Sequence, residues 1–149
     1  AVGKGNIEIM RILLDAGADP NIKGNYQSAL HLAVERGNIE IVRILLDAGA
    51  DPNIEDNKPR SPLHYVSASG MFDALDFMLE QSGDECLNAR DKDGSTPLHY
   101  AASVGRMKSC EILLKHGCKK SIRDNHGRTA CDLAMLFGYV DVVELLREN

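Results

Sequence analysis

The sequence is poor in aromatic residues: it has no tryptophan, four tyrosines and three phenylalanines among 149 residues. It also has no run of 18 apolar residues and no N-terminal secretion pattern, so it predicts neither a membrane span nor secretion. The formal net charge of −5 disfavours a nucleic acid as the main partner. The content of hydrophobic residues (44%) and of charged residues (26%) is ordinary for a globular protein with one core.

What the sequence does contain is repetition. In residues 93–102, which read DGSTPLHYAA, a turn glycine is followed by Thr96, a good helix N-cap, and by Pro97 at the first helical position. Leu98 and Ala101 then lie on one face of the predicted helix, the face that turns to the core. The same register recurs at three further places, which begin at Ser28, at Ser61 and, in degraded form, at Thr129.

Glycines predicted to end these short helices are spaced by 32, 33, 35 and 33 residues, at Gly5, Gly37, Gly70, Gly105 and Gly138. An amphipathic run of helical period follows each glycine. A period near 33 with this signature resembles the ankyrin repeat, and the resemblance covers almost the whole chain. It implies a mainly α fold: an α-solenoid of stacked repeats, each a helix–turn–helix plus a finger hairpin, in a single elongated domain.

On this period, residues 1–149 are predicted to form one ankyrin-repeat domain. Its parts are a partial N-terminal repeat (1–24), full repeats (25–57, 58–92 and 93–125) and a C-terminal capping repeat (126–149). Residues 1–22 match residues 33–54 at 19 of 22 positions, so we expect the first repeat to lack its beginning. In the last repeat Asp132 replaces the motif histidine and Arg147 replaces a leucine, as expected where nothing packs beyond.

Two local departures from the pattern carry expectations of their own. Tyr26 and Pro59 stand where later fingers have a turn glycine, so the sequence predicts a different turn there. Repeat three has two extra residues around positions 81–85, which predict a bulged loop.

The four cysteines do not have the spacing of a metal site, since no Cys-x-x-Cys pair exists. Cys110 falls at the repeat position of Val42, and Cys118 at that of Ala50, where a thiol acts as a small hydrophobe. We therefore predict reduced thiols in a reducing compartment. Cys86, in the irregular loop, is expected to be the most exposed.

Histidines at one repeat position, His31, His64 and His99, are predicted to stand in successive layers. Packed helices lie about 8–10 Å apart, whereas two ligands of one zinc ion must nearly touch, so no metal site is expected. The resemblance implies instead that this histidine joins hydrogen bonds from side chain to backbone between repeats. No phosphate-binding loop or nucleophile motif is found, so we predict no enzymatic activity and no cofactor.

The first predicted partner surface is the side of the short helices that faces away from the core. It holds the residue after each motif histidine and those three and four residues later. Tyr65 and Tyr100 are predicted to be interface anchors side by side on a solvent-facing stripe, with packing inside the scaffold as the alternative. The other residues of this stripe predicted to contact a partner are Arg36, Ser69, Val104 and Phe137.

The finger tips are the second predicted partner surface, because tip residues carry little packing duty. The tip residues predicted to bind are Tyr26, Asp56, Lys58, Arg60, Asp91, Lys92, Ser95, Asn125, His126 and Arg128. In the resembled family, partners typically touch the fingers and the concave face together. Residues 106–128 also hold seven basic side chains against two acidic ones, which indicates either a solvated face or an acidic protein partner. No aromatic residue interleaves with them to stack on bases, so nucleic acid is disfavoured.

The resemblance implies a monomeric scaffold that binds another protein or peptide, with no membrane association, inside the cell in the cytoplasm or nucleus. Two alternatives stay open. The chain is then either a regulatory or targeting arm of a larger signalling protein or enzyme, or a substrate of asparagine hydroxylation. In the family, an oxygen-dependent dioxygenase modifies finger asparagines that often have a leucine eight residues before them. Asn21 and Asn53 fit that spacing.

Overall fold

The computed structural model of the protein describes residues 4–22, 28–82 and 84–148. Helices occupy most of these ranges. In chain order they are α1 (Lys4–Asp15), α2 (Ala29–Glu35), α3 (Ile39–Asp47), α4 (Pro62–Ser69), α5 (Phe72–Gln81), α6 (Asp84–Leu87), α7 (Pro97–Ser103), α8 (Met107–Lys115), α9 (Ala130–Leu136) and α10 (Val140–Arg147). Tyr26, a predicted partner contact, lies outside the described residues.

The helices form two rows. The short helices α2, α4, α7 and α9 stack on one another in order, and so do the longer helices α3, α5, α8 and α10. Each short helix also packs on the longer helix that follows it, which gives one helical hairpin per repeat. Leu30, Leu63 and Leu98 are buried between the rows, as the motif predicted. This arrangement is the stacked α-solenoid that the sequence indicated.

The two helices of a repeat are joined by a left-handed glycine. Gly105 has a φ of +71°, and a Cβ atom built on it would lie 2.6 Å from Cδ1 of Tyr139 in the next repeat. Glycine is therefore required at position 105 both by the backbone conformation and by the close approach of a neighbouring ring.

The prediction that Gly5 ends a helix is wrong. Helix α1 begins at Lys4 and continues through Gly5 to Asp15. Ile7, Met10 and Leu14, which lie along one face of α1, pack against the core. These three residues recur at helical spacing, and the helix that they belong to extends back through Gly5.

The expectation that Cys86 is the most exposed thiol is also wrong. The insertion in repeat three is partly helical: α5 ends at Gln81 and the single turn α6 follows from Asp84. This turn directs Cys86 and Leu87 inward, where each is only 4% exposed. An extra helical turn, rather than an irregular loop, therefore accommodates the added residues.

Each described finger is organised by one aspartate at its base. The N–H of Asp56 donates to the carbonyl of Arg60, and the Oδ1 atom of Asp56 accepts from the N–H groups of Lys58 and Arg60. Asp91 and Asp124 close their fingers with the same set of bonds. The turn at Pro59 differs from the others, as predicted. Proline has no N–H with which to make the bond that Gly94 donates to the carbonyl of Asp91 and Gly127 to that of Asp124, and its φ is +20° against +77° for each glycine.

We predict that Ser109→Ala stabilises the protein. Ser109 is fully buried in α8, and its hydroxyl has no hydrogen-bond partner in the described structure. The same repeat position holds Ile41 in α3 and Val142 in α10. Removing an unsatisfied buried hydroxyl from a helix should raise the free energy of unfolding by about 1 kcal/mol, measured by urea denaturation. A lower free energy of unfolding in the variant would contradict the burial of an unpaired hydroxyl.

Candidate protein-binding surface

The fingers are held in place by the motif histidines. The N–H groups of Ser28, Ser61 and Thr96 donate to Nδ1 of the histidine three residues later, at 3.3, 3.1 and 3.2 Å. Because Nδ1 accepts a hydrogen bond, the ring proton must lie on Nε2. The three histidines are buried, and these bonds fix each ring in one tautomer.

The same histidines bind forward to the next repeat. Nε2–H of His31 donates to the carbonyl of Arg60 at 2.7 Å, that of His64 to Ser95 at 2.9 Å, and that of His99 to Arg128 at 2.8 Å. These carbonyls are the ones that close the three fingers. Each histidine thus joins the start of one short helix to the finger of the following repeat, as the resemblance implied.

The last repeat keeps only the local half of this arrangement. Asp132 accepts from the N–H of Thr129 at 2.9 Å through Oδ2, and its own N–H donates to Thr129 Oγ1 at 3.2 Å. These bonds to Thr129 lower the pKa of Asp132 below its ordinary value. An aspartate caps the helix as histidine does, but its shorter side chain has no second donor to offer a further layer.

The predicted anchors Tyr65 and Tyr100 are half-buried, so the expectation of a solvent-facing pair is wrong in that respect. The hydroxyl of Tyr65 donates to Oδ2 of Asp56 at 2.6 Å, and that of Tyr100 to Oδ2 of Asp91 at 2.5 Å. The Tyr100 ring also lies edge-on to His64, with centroids 4.9 Å apart. These contacts tie each short helix to the base of its own finger. Burial, and then the bond to Asp91, raises the pKa of Tyr100 above its ordinary value.

Some of the predicted finger contacts are buried by hydrogen bonds within the protein, and others are exposed to solvent. Asp56 is only 6% exposed, so its prediction as an accessible tip residue is wrong. Its carboxylate faces inward because Tyr65, Lys58 and Arg60 all donate to it. The half-buried members are Arg60, Asp91, Ser95 and Arg128, and the exposed ones are Lys58, Lys92, Asn125 and His126.

Neighbouring fingers are bonded directly to each other. Asn125 donates from its N–H to Asp93 and from its side chain to the carbonyl of Lys92. Arg90, which sequence reasoning missed, donates to the carbonyls of Gly94 and of Arg123 in the next repeat, at 3.2 and 3.0 Å. Nothing in the spacing of Arg90 distinguishes it from other exposed arginines, so only the structure reveals this clamp.

The C-terminal ends of the short helices form an exposed row, which we call the rim. Its members are the residues that precede the left-handed glycines: Arg36, Ser69, Val104 and Phe137. All four are exposed, in agreement with their predicted side of the helix. Leu133, predicted to share that side, is instead buried. Tyr139, which was not predicted, joins the rim because its ring covers Gly105.

A family model described as "Ankyrin repeats (3 copies)" matches residues 1–88 and again residues 63–149. The chain belongs to the ankyrin repeat family. Ankyrin repeat domains are generally protein–protein interaction modules and are typically non-catalytic. None of the helices in ranges 4–22, 28–82 and 84–148 combines the length and apolar character needed to cross a membrane.

The acidic, histidine and cysteine side chains of this ankyrin domain were compared with the requirements of a metal site and of a reactive thiol. In the described part of the chain, no group of three or more histidine, cysteine or acidic side chains is placed to hold a metal ion. Burial raises the pKa of the Cys110 thiol to about 12 and that of Cys118 to about 12. Since the thiolate is the reactive form, these two free cysteines act as packing residues, as predicted.

The basic segment 106–128 does not form one surface. Arg106 lies at the rim, where its Nε donates to the carbonyl of Ala68, whereas Lys108 and Lys115 line an outer groove between α5 and α8 that also holds Asp73 and Asp76. Arg123 and Arg128 are bound within the last described finger, to Gly127 and Asp124. Charges that are close in sequence are thus distributed over three faces of the ankyrin domain.

The two asparagines considered for hydroxylation differ in their contacts. The side chain of Asn21 donates to the carbonyl of Gly49 at 3.3 Å and accepts from the N–H of Asp51 at 2.6 Å. The side chain of Asn53 makes no hydrogen bond in the described part of the chain, and its N–H donates to Asp51 Oδ1. The amide of Asn21 is therefore part of the contact between repeats, and that of Asn53 is not.

Acidification should destabilise this ankyrin domain in two stages. Burial lowers the pKa of His64 below its ordinary value of 6.5, although the bond to Ser95 and the charge of Asp91 oppose this. Burial alone would raise the pKa of Asp56, but bonds from Tyr65, Arg60 and Lys58 outweigh it and lower the pKa below 3.8. For each group the unfolded chain takes up a proton at a higher pH than the folded chain does.

The free energy of unfolding, measured in urea, should therefore fall as the pH drops below 6.5, and again below 3.8. In His64→Gln the first decrease should be smaller than in the wild type, because one titrating group is absent. An identical pH dependence in the two proteins would contradict the buried neutral state of His64.

Proposed function

We propose that this chain is a protein-binding scaffold, which holds a partner polypeptide along the rim and the finger tips and has no chemistry of its own. The observation that carries the proposal is the division of labour within each repeat. Histidine, tyrosine and aspartate side chains fix the short helices and fingers, while the rim residues between them are exposed. Of the rim side chains, the Ser69 hydroxyl bonds locally to the backbone of Val66 and Met71. A rigid scaffold that presents side chains in fixed positions loses little entropy on binding.

The partner contacts are assigned to the side chains that are exposed or half-exposed on these two surfaces. On the rim they are Arg36, Ser69, Val104 and Phe137. On the fingers Lys58, Lys92 and His126 are the free contacts, and Asn125, Arg60 and Arg128 contribute what their internal bonds leave accessible. Tyr65 and Tyr100 contribute mainly by holding the finger bases, and the exposed parts of their rings flank the rim.

Site-specific photo-crosslinking tests this assignment. A photoreactive amino acid is placed at Val104 on the rim, at Lys92 on a finger, or at the exposed Glu111 on the outer helix α8. The proposal expects the same partner to be captured from positions 104 and 92, and not from position 111. Capture from position 111 alone would place the binding surface on the outer helices and overturn the assignment.

A second proposal concerns modification of the finger asparagines. Its support is the difference between the two amides: the side chain of Asn21 is bonded to the next repeat, whereas that of Asn53 makes no such bond in the described structure. We infer that an oxygen-dependent asparagine hydroxylase modifies Asn53 in preference to Asn21.

Incubation with such an enzyme should add about 16 Da (one oxygen atom), with peptide mapping placing the oxygen on Asn53. The matched control is Asn53→Ala, in which the mass gain should disappear. Oxygen found on Asn21 alone would contradict the preference.

We also propose a cellular compartment and an assembly state for this chain. Buried cysteines with no disulfide requirement suit a reducing compartment, which places this chain inside the cell, in the cytoplasm or nucleus. A monomer that serves as one regulatory arm of a larger protein would use the same two surfaces.

A further inference from the structure

The rim changes character along the array. At its repeat-four and repeat-five end, the rim residues Val104, Phe137 and Tyr139 are 44%, 55% and 37% exposed, and the neighbouring Leu136 is 64% exposed. Val104 ends helix α7 and Phe137 ends the adjacent helix α9, while the Tyr139 ring lies over Gly105 between them. We call these four residues the apolar end of the rim.

The fold does not require apolar residues at these positions. In repeat two the residues equivalent to Leu136 and Phe137 are the charged Glu35 and Arg36, and in repeat three they are Ala68 and Ser69. All of these repeats form the same helical hairpin. Contiguous exposed apolar side chains that the scaffold can do without are typical of an interaction site.

A cation lies beside the apolar end. The side chain of Arg106 crosses to the preceding repeat, where its Nε donates to the carbonyl of Ala68 at 3.1 Å. A Cβ atom on Gly70 would lie 3.2 Å from Nη1 of Arg106, so the glycine makes room for the guanidinium. Arg106 is exposed and forms no ion pair with any described carboxylate. Its remaining N–H groups are positioned to receive a carboxylate from outside.

We propose that the rim recognises a peptide segment that combines apolar side chains, which cover Val104 and Phe137, with a neighbouring acidic side chain that pairs with Arg106. The inference rests on the proposed protein-binding function and adds the partner's chemistry and its placement along the array. The apolar part of the segment lies at repeats four and five, and the acidic part points toward repeat three. Aromatic and arginine side chains at a rim of this kind are the usual carriers of binding energy.

The test is a selection of random 12-residue peptides displayed on phage, with the whole 149-residue chain as bait. We expect the selected sequences to be enriched in an apolar pair with Asp or Glu next to it on one side. Synthetic copies of them should bind at least tenfold more weakly to Phe137→Ser and Val104→Ser. Selection on Arg106→Glu should enrich Lys or Arg in place of the acidic residue.

The matched control is Ile12→Ser, which removes an apolar side chain that is 64% exposed from α1 at the other end of the array. It should leave peptide affinity unchanged, and thermal melting should show that all variants are folded. Peptides that bind Phe137→Ser and wild type equally well would overturn this inference while supporting the proposed function. A selection that enriches no peptide would count against both.

The apolar end of the rim could instead be covered by a second copy of the chain, and this alternative is tested separately. Sedimentation velocity of the wild type and of Phe137→Ser distinguishes it from a peptide partner. A concentration-dependent dimer that disappears in Phe137→Ser would overturn the inference in favour of self-association. A monomer in both proteins, together with peptide binding that depends on Phe137, would support it.

Discussion

Leu98→Ala should lower the free energy of unfolding by about 2–5 kcal/mol. Leu98 is buried in α7 between the two rows of helices, where α7 contacts α4, α8 and α9. Its truncation removes apolar contacts and leaves a cavity that helices fixed on three sides cannot collapse to fill. In a stacked array each layer is stabilised by its neighbours, so a defect in this central layer weakens two interfaces.

The control for Leu98→Ala is Leu32→Ala, which makes the same chemical change in a short helix at a position that is 41% exposed. It should cost less than about 1 kcal/mol, since surface substitutions outside packed positions have small effects. Urea denaturation of both variants at pH 7.5 provides the comparison. Equal losses would mean that burial at this register does not determine stability.

His64→Ala is the second substitution with a large expected effect, about 3 kcal/mol of lost stability. The imidazole accepts from the N–H of Ser61 and donates to the carbonyl of Ser95, and it is fully buried. Without it, the Ser61 N–H loses its acceptor Nδ1, and the finger that begins at Asp91 keeps the bond from the N–H of Lys92 to the carbonyl of Lys58 but loses the one made by the histidine. The buried side chain also leaves a cavity.

His126→Ala is the matched control, because His126 is exposed at a finger tip and its only described bond is from its backbone N–H to Asp124. Its stability should equal that of the wild type. Hydrogen exchange provides a second measurement. In His64→Ala the backbone amides of Asp93 and Ser95, which donate to Asp91, should exchange faster than in the wild type. Unchanged protection there would show that the histidine does not secure the finger.

The motif residues could be predicted because their requirements are local and recur. Thr96, Pro97 and Leu98 are a cap, a first helical residue and a core residue in any copy of the repeat, and the structure confirms each role. The position of the histidines was predicted in the same way. The carbonyls that they bind were not, because those lie some 30 residues away in the next repeat.

The candidate surface was predicted less completely, for a physical reason. Helical spacing correctly placed Val104 and Phe137 on the exposed side, because spacing along one helix determines the direction of a side chain. The expectation that finger-tip residues are accessible failed for Asp56, which looks like a polar tip residue in sequence and is buried by donors from Tyr65 and Arg60. Neither helical spacing nor position in a finger pointed to Arg90 or Tyr139, whose contacts are with the adjacent repeat.

The sequence by itself therefore determined the repeat, the helices, their caps and the residues between the two rows, since these depend on side-chain periodicity and local backbone chemistry. Only the tertiary structure decided which polar side chains form hydrogen bonds between one layer and the next, and which are left exposed to a partner. Hydrogen bonds between layers link residues that are distant in sequence, and a carboxylate or hydroxyl becomes buried or exposed according to the donors that stacking brings to it.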